Sequence, residues 1–438
     1  MVLLSQQEYN EVGQLFKKKL HSTNGGSSFY QTITYRYNAR GWMVQDSAQL
    51  FKQQLYYNDG SVPQYNGNIS AQSWQTNGGA LNTYNYTYDT QNRLLSGIAT
   101  NCYSEKGITY DLMGSMRTLA RFQANTLIDS LRFNYPNNGQ SNQPDTIRDV
   151  SGNLTAGAKT ATMAYTYRGD GQMKYDGRTG NTINYNLLAL PQTVTGTNNI
   201  TYWYDTDGEK LAKISITGST TTRTDYIGGI QYTSSNGATP VVEFIQTGEG
   251  RARLSGSNYI YEYDLTDHLG NARLTFATAG ASPLVVQTTD YYPFGTTSNE
   301  TLNGIKSKYL YNKKEWQEET NQYDYGARFY DPVIGRWTSV DPLAESYYRW
   351  SPYNYGADNP VYYVDKDGRF IGTLIGAAVG AIVGGVSAAI KHENVWKGAG
   401  KGAIAGAVAG AVVDITVATA GTGTVALVAA GGLSGAAG

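Results

Sequence analysis

Two aspartates close to a change of composition are the residues best placed to do chemistry. Asp341 lies in "VDPLAE" and Asp365 in "VDKDGRF", at the two ends of a segment dense in Tyr, Trp and Pro. Carboxylates brought within about 3 Å of each other cannot both ionise cheaply, so they share a proton, and one acts as base on a water while the other polarises a carbonyl. Kept apart, the same residues are ordinary turn formers, because Asp-Pro and Asp-x-Asp-Gly start turns with no catalytic purpose. The residue types alone leave both readings open. Just beyond Arg369 the sequence becomes dominated by Gly, Ala and Val.

Other chemistry is thinly represented. The formal net charge is -1 and 16% of residues are charged, which leaves no surplus for gripping phosphates and argues against nucleic acid as a partner. A single cysteine, Cys102, excludes an intrachain disulfide framework, and three histidines provide no cluster of zinc-ligand spacing, so neither metal nor cofactor is expected. "DKDG" at Asp365 opens like a calcium loop but lacks the bidentate Glu further along. His268, in "DHLGNARL", has no Cys or Ser partner at a suggestive spacing and reads as a packed or turn-capping residue. The start, "MVLLSQQEYNEVGQ", has too short an apolar run and no basic flank for a secretory signal.

The elements that must position the aspartates are strands. Tyr (37) outnumbers Phe (10) and Trp (7) together, which suits a sheet surface buried at the ring and wet at the hydroxyl. One unit keeps returning: "ITYRYNARGWMVQ" at Ile33, "YNYTYDTQNRLLSG" at Tyr84, "MAYTYRGDGQMKY" at Met163, "ITYWYDTDGEKLAKI" at Ile200 and "YIYEYDLTDHLGNARLTF" at Tyr259. Alternation around an Asn/Gly/Asp cluster predicts β-hairpins, recurring at roughly 20 residues per unit as in stacked repeats. Tyr-rich sheets could bind glycans through exposed rings, although no position is singled out for it.

These units resemble YD repeats, and "YDYGARFYDP", "GRWTSVDPLAE" and "SPYNYGADNP" resemble the Rhs repeat-associated core domain, in a form similar to that of Bacteroidota proteins. The match is dense from Ile305 to Arg369, looser from Phe29 to Lys308, and stops beyond Phe370. It implies an all-β fold, a spiralling antiparallel sheet forming part of a shell, and the division 1–28 lead-in, 29–304 YD-repeat sheet, 305–369 core domain and 370–438 tail. It also implies a C-terminal toxin segment as the enclosed partner, secretion or surface display, and a core that cuts the toxin free as an aspartic protease does. In the family two Asp-Pro-x-Gly-Leu turns, about two dozen residues apart, bring two carboxylates together. Carried over, Asp341 and Asp365 form the pair, Arg336 in "GRW" orients or charge-balances it, Tyr347 to Pro360 is the rigid bridge, and the bond between Arg369 and Phe370 is cut. The sequence departs from that pattern: Ala344 and Glu345 stand where the first turn has Gly and Leu, Lys366 replaces proline and Arg369 replaces Leu. Without the proline ring φ is not fixed, and the Lys366 ammonium is expected to hold Asp365 ionised.

The tail opens with "FIGTLIGAAVGAIVGGVSAAI", about twenty uncharged residues, long enough to span a bilayer as a helix. Gly372, Gly376, Gly380 and Gly384 form one stripe, and Gly398, Gly402, Gly406 and Gly410 a second after a polar turn. Small residues at that spacing predict a tightly packed, Gly-rich α-helical hairpin able to meet a membrane. Three functions therefore follow: a toxin-enclosing shell with a self-cleaving core, a non-catalytic cell-surface or adhesion protein, or a membrane-active module.

Overall fold

The computed structural model describes residues 2–99, 103–153, 161–278, 280 and 282–369, together with the backbone of 373–374. The expected Gly-rich helical hairpin, with Phe370 and all eight stripe glycines, lies outside the described residues. Among those described, no helix is long and apolar enough to cross a membrane.

Among the described residues, twenty-six strands form one sheet, in which each strand pairs antiparallel with the next along the chain, from Leu3–Tyr9 to Thr297–Leu302. The sheet begins earlier than the repeats suggest. Leu3–Tyr9 pairs with Leu15–Ser22, which pairs with Gln31–Tyr37, so the stretch 1–28 contributes two strands of the same meander.

The Tyr-Asp signature has a specific structural job. The acidic or amide residue closes the hairpin turn: Asn38 Oδ1 accepts the amides of Arg40 and Trp42, Asp89 those of Gln91 and Arg93, Asp205 those of Asp207 and Glu209, and Asp267 those of Leu269 and Asn271. Asn10 caps Val12 and Gln14 in the same way, although the tyrosine before it, Tyr9, is exposed and donates its hydroxyl to Gln7 in its own strand. In other turns the preceding tyrosine reaches back one hairpin with its hydroxyl. Tyr37 donates to the Leu15 carbonyl, Tyr88 to Ile69, Tyr110 to Leu94 and Tyr185 to Met173. Phenylalanine could fill the core but would leave those carbonyls unanswered, which accounts for the excess of tyrosine.

The strip curls until strands some two hundred residues apart face each other. Lys18 meets Glu249, the Trp74 indole donates to Asp290, and the Phe294 amide donates to Glu105. Residues after Leu302 fold against this wall as a separate four-stranded sheet from Glu315–Gln317 to Arg336–Trp337, packed around Tyr311, Tyr323, Tyr330, Trp337 and Tyr355.

Buried ion pairs fasten the two parts. Arg121 holds Glu105 at 2.7 Å and Asp129 at 2.9 Å while donating to the carbonyls of Pro332 and Val333, and Arg178 does the same for Asp331 and the carbonyls of Thr320 and Asn321. Arg121→Met leaves two buried carboxylates without their cation, a loss of about 3–5 kcal/mol. Urea denaturation should show that deficit, and a variant as stable as the parent would contradict the fastening role.

Candidate active site

The chain reaches the first aspartate through a short hairpin. Phe329–Asp331 pairs with Arg336–Trp337, after which the Asp341 amide is held by the Pro352 carbonyl at 3.1 Å. Asp341 Oδ1 accepts the Leu343 amide at 2.8 Å, the expected Asx turn. The bridge to the second aspartate is pinned to the wall: Ser351 donates its amide to Met113, and the Asn359 side chain donates to Asn68 and Asn92. His268 also belongs to this stitching, with Nε2 3.0 Å from the Val361 carbonyl and burial depressing its basicity.

Asp365 then closes its own turn, accepting the amides of Asp367 at 3.2 Å and Gly368 at 2.8 Å through Oδ1. Its Oδ2 faces Asp341, but an arginine stands between them. Arg328 Nη2 lies 2.8 Å from Asp341 Oδ2 and 3.2 Å from Asp365 Oδ2, so the two oxygens are at most about 6 Å apart. All three side chains are buried. The guanidinium also packs on Trp337 at 4.1 Å, donates from Nε to the Gly368 carbonyl at 2.6 Å, and reaches the Pro352 carbonyl.

The structure thus brings Asp341 and Asp365 to one point and places Arg336 elsewhere. Arg336 donates to the Tyr135 hydroxyl at 2.9 Å and the Asn142 carbonyl at 2.7 Å and packs on Tyr353. The cation at the pair is Arg328, in "YGARFYD". The only signal for it in the sequence is an arginine set in a run of residues that read as buried.

The electrostatics also differ from expectation. Burial dominates at Asp365 and pushes its carboxyl up to about 6, against the opposing pull of Arg328. Lys366, expected to keep Asp365 ionised, is exposed, and burial rather than its charge governs that carboxyl. Burial likewise depresses the basicity of Arg328. Tyr347 is pushed up to about 12 by burial together with the charges of Asp341 and Asp365.

Past the pair, the carbonyls of Asp367 and Gly368 are held by Ala327 N and Arg328 Nε. The chain then doubles back, Tyr363 and Val364 pairing with Leu374 and Thr373. Arg369 is exposed and borders a cleft of about 440 Å³ whose walls include Tyr204, Lys210, Glu315, Asp324 and Asp367. Water therefore has a route to the segment just before the Arg369–Phe370 bond, although Phe370 itself lies outside the described residues. Among the described residues, no group of His, Cys, Asp or Glu is arranged to hold a metal ion.

No family model matches the chain. It is 37% identical over 119 residues to salivary gland surface protein 1 of Aedes aegypti, covering 27% of the chain and 3% of that protein. It is 28% identical over 190 residues to toxin subunit YenC1 of Yersinia entomophaga, covering 38% of the chain and 19% of that protein. The fold matches a component of the Photorhabdus luminescens Tc holotoxin pore, solved with a mutation in its TccC3 component, at a TM-score of 0.64 and 18% identity over 84% of the chain and 19% of the other. In sequence and in fold the chain is similar to Rhs-type YD-repeat proteins. The chain spans about a fifth or less of the length of these curated relatives. In it, the repeat supplies the wall and the segment from Ile305 onward supplies the paired aspartates.

Proposed function

We propose that this chain is part of a toxin-enclosing shell whose core domain cuts its own backbone once, after Arg369. The observation that carries the reading is the meeting of Asp341 and Asp365 on one buried arginine, whose Nε also holds the carbonyl one residue upstream of the bond to be cut. Arg328 thereby ties the acid pair and the substrate strand to the same group. Secretion or surface display follows from this role, with the enclosed partner being the segment that follows the core.

The chemistry is that of an acid–base pair acting on a tethered peptide. Asp365, with its carboxyl raised to about 6, donates a proton to the Arg369 carbonyl oxygen. Asp341 takes a proton from a water, whose oxygen attacks the carbonyl carbon. Collapse of the tetrahedral intermediate breaks the C–N bond as the proton on Asp341 passes to the leaving nitrogen, giving a carboxyl at Arg369 and an amine at Phe370. As the C=O re-forms, one hydroxyl of the former gem-diol gives its proton back to Asp365, which restores the pair. Because the bond is part of the same chain, tethering replaces substrate binding, and a single turnover is sufficient.

The pH profile tests this reading. Asp365 must carry a proton to act as the acid, and a group titrating near 6 is protonated in about one molecule in a hundred at pH 8 and in half at pH 6, so the first-order rate should rise about fifty-fold between them. It falls again once the pair as a whole takes up a second proton. Linkage has the same sign: a carboxyl raised on folding adds stability that is fully present below its ordinary value and lost as pH rises through about 6. A rate that is flat or increasing from pH 6 to pH 8 would oppose the assignment.

A further inference from the structure

Three consecutive carbonyl oxygens lead up to the Arg369–Phe370 bond, and each is held by a different donor. Gly368 O accepts from Arg328 Nε, and Asp367 O from the Ala327 amide. Lys366 O accepts from the ammonium of Lys314. The first two donors come from the strand-leading segment that carries the acid pair's arginine. The third comes from a different stretch of the core and belongs to a side chain with no role so far.

Lys314 is aimed by its own backbone. Asn312 and Lys313 both adopt left-handed φ, at 49° and 56°, a conformation uncommon outside glycine and kept only where neighbours impose it. The neighbours are present: the Asn312 amide donates to Asn271 Oδ1 and its side chain donates to the Leu269 carbonyl. The turn is closed by the Leu310 amide donating to the Lys314 carbonyl at 3.0 Å. The Lys314 ammonium lies over the Tyr325 ring, with Nζ 5.2 Å from its centroid, and faces Asp324, Asp365, Asp367 and Lys366.

We propose that Lys314 is a positioning residue for the second aspartate: by holding the Lys366 carbonyl it fixes the Lys366–Asp367 peptide of the turn that Asp365 caps, next to the position where no proline ring sets the backbone. The consequence for cleavage rests on the self-cleaving reading above; the hold on the turn does not. Asp365 can present Oδ2 to Arg328 only while its Oδ1 caps the Asp367 and Gly368 amides, and those amides belong to the turn that Lys314 restrains. A lysine at position 366 leaves φ free, and an ammonium from outside the turn supplies the missing restraint.

The substitution Lys366→Pro provides the discriminating experiment, because a ring at 366 makes the clamp redundant. Among the described residues the Lys366 amide donates no hydrogen bond that a proline there would remove. In the full chain, Lys314→Met should slow self-cleavage about tenfold, Lys314→Arg should keep most of the rate, and Lys314→Met with Lys366→Pro should regain it. Hydrogen exchange at the Asp367 and Gly368 amides, followed in chains kept whole by Asp341→Asn, should speed up at least about tenfold in Lys314→Met and return to the parent value with Lys366→Pro. Unchanged exchange in a folded Lys314→Met variant would overturn the proposal. So would faster exchange that Lys366→Pro leaves uncorrected, which would make Lys314 a general support. If the parent never cuts itself but exchange responds as described, the clamp stands and the self-cleaving reading falls.

Discussion

Asp365→Asn leaves the chain whole. The amide keeps the size of the carboxyl and can still cap the Asp367 and Gly368 amides through its oxygen, so the turn survives. It can neither donate an acidic proton to the Arg369 carbonyl nor recover one, and it presents an N–H group or a neutral oxygen to Arg328 in place of a charge. Loss of the general acid is expected to slow the step by at least about a thousandfold. Asp341→Asn should do the same by removing the base, and the double substitution should be little worse, because the two act as a unit. Mass spectrometry over several days, with circular dichroism to confirm the strand-rich fold, reads the outcome. If both single variants were cut at the parental rate, an outside protease would be responsible.

Arg328→Met should be the most damaging single change to the core. The guanidinium is the cation shared by two buried carboxylates and also satisfies the carbonyls of Pro352 and Gly368. Without it the carboxylates face each other at no more than about 6 Å in a desolvated site, and removal of one partner from a buried ion pair costs about 3–5 kcal/mol. The deficit carries a pH signature. Arg328 is what pulls Asp365 down against burial, so its loss raises that carboxyl further, and a raised carboxyl loses stability as pH rises. The variant should therefore lie closer to the parent near pH 5 than at pH 8 in urea denaturation. An equal deficit at both values would mean that the arginine matters for packing on Trp337 alone. Arg336→Met, by contrast, should disturb the contact with Tyr135 and Asn142 and leave the titration of Asp365 unchanged.

The meander was legible in the sequence because its signal is local: a tyrosine in period-two alternation followed by a residue whose side chain closes the turn. Where the strand before the turn lacks the Tyr/Thr alternation, as in Leu3–Tyr9 ahead of Asn10, the signal is lost, and the repeats alone start the sheet at Phe29, two strands late. The aspartates were legible through the resemblance of their turns, and the aromatic stretch between them does run as a pinned bridge. Their cation was misassigned because proximity in sequence stood in for proximity in space. Arg336 is five residues from Asp341 and Arg328 is thirteen, but the hairpin of Phe329–Asp331 and Arg336–Trp337 brings the farther one to the pair. The influence of Lys366 was misjudged for a related reason. Charge can be read from residue type, whereas burial, which governs Asp365, depends on a wall supplied by distant residues.

The most direct measurement is the intact mass of the purified chain with time at pH 6 and pH 8, over a range of protein concentrations. Cleavage by the paired aspartates predicts two products, 1–369 and 370–438, forming faster at pH 6 with a first-order rate independent of concentration. A single undivided mass at both pH values after days, in protein shown to be folded, would contradict it and leave the Arg328-bridged aspartates as a structural closure of the shell.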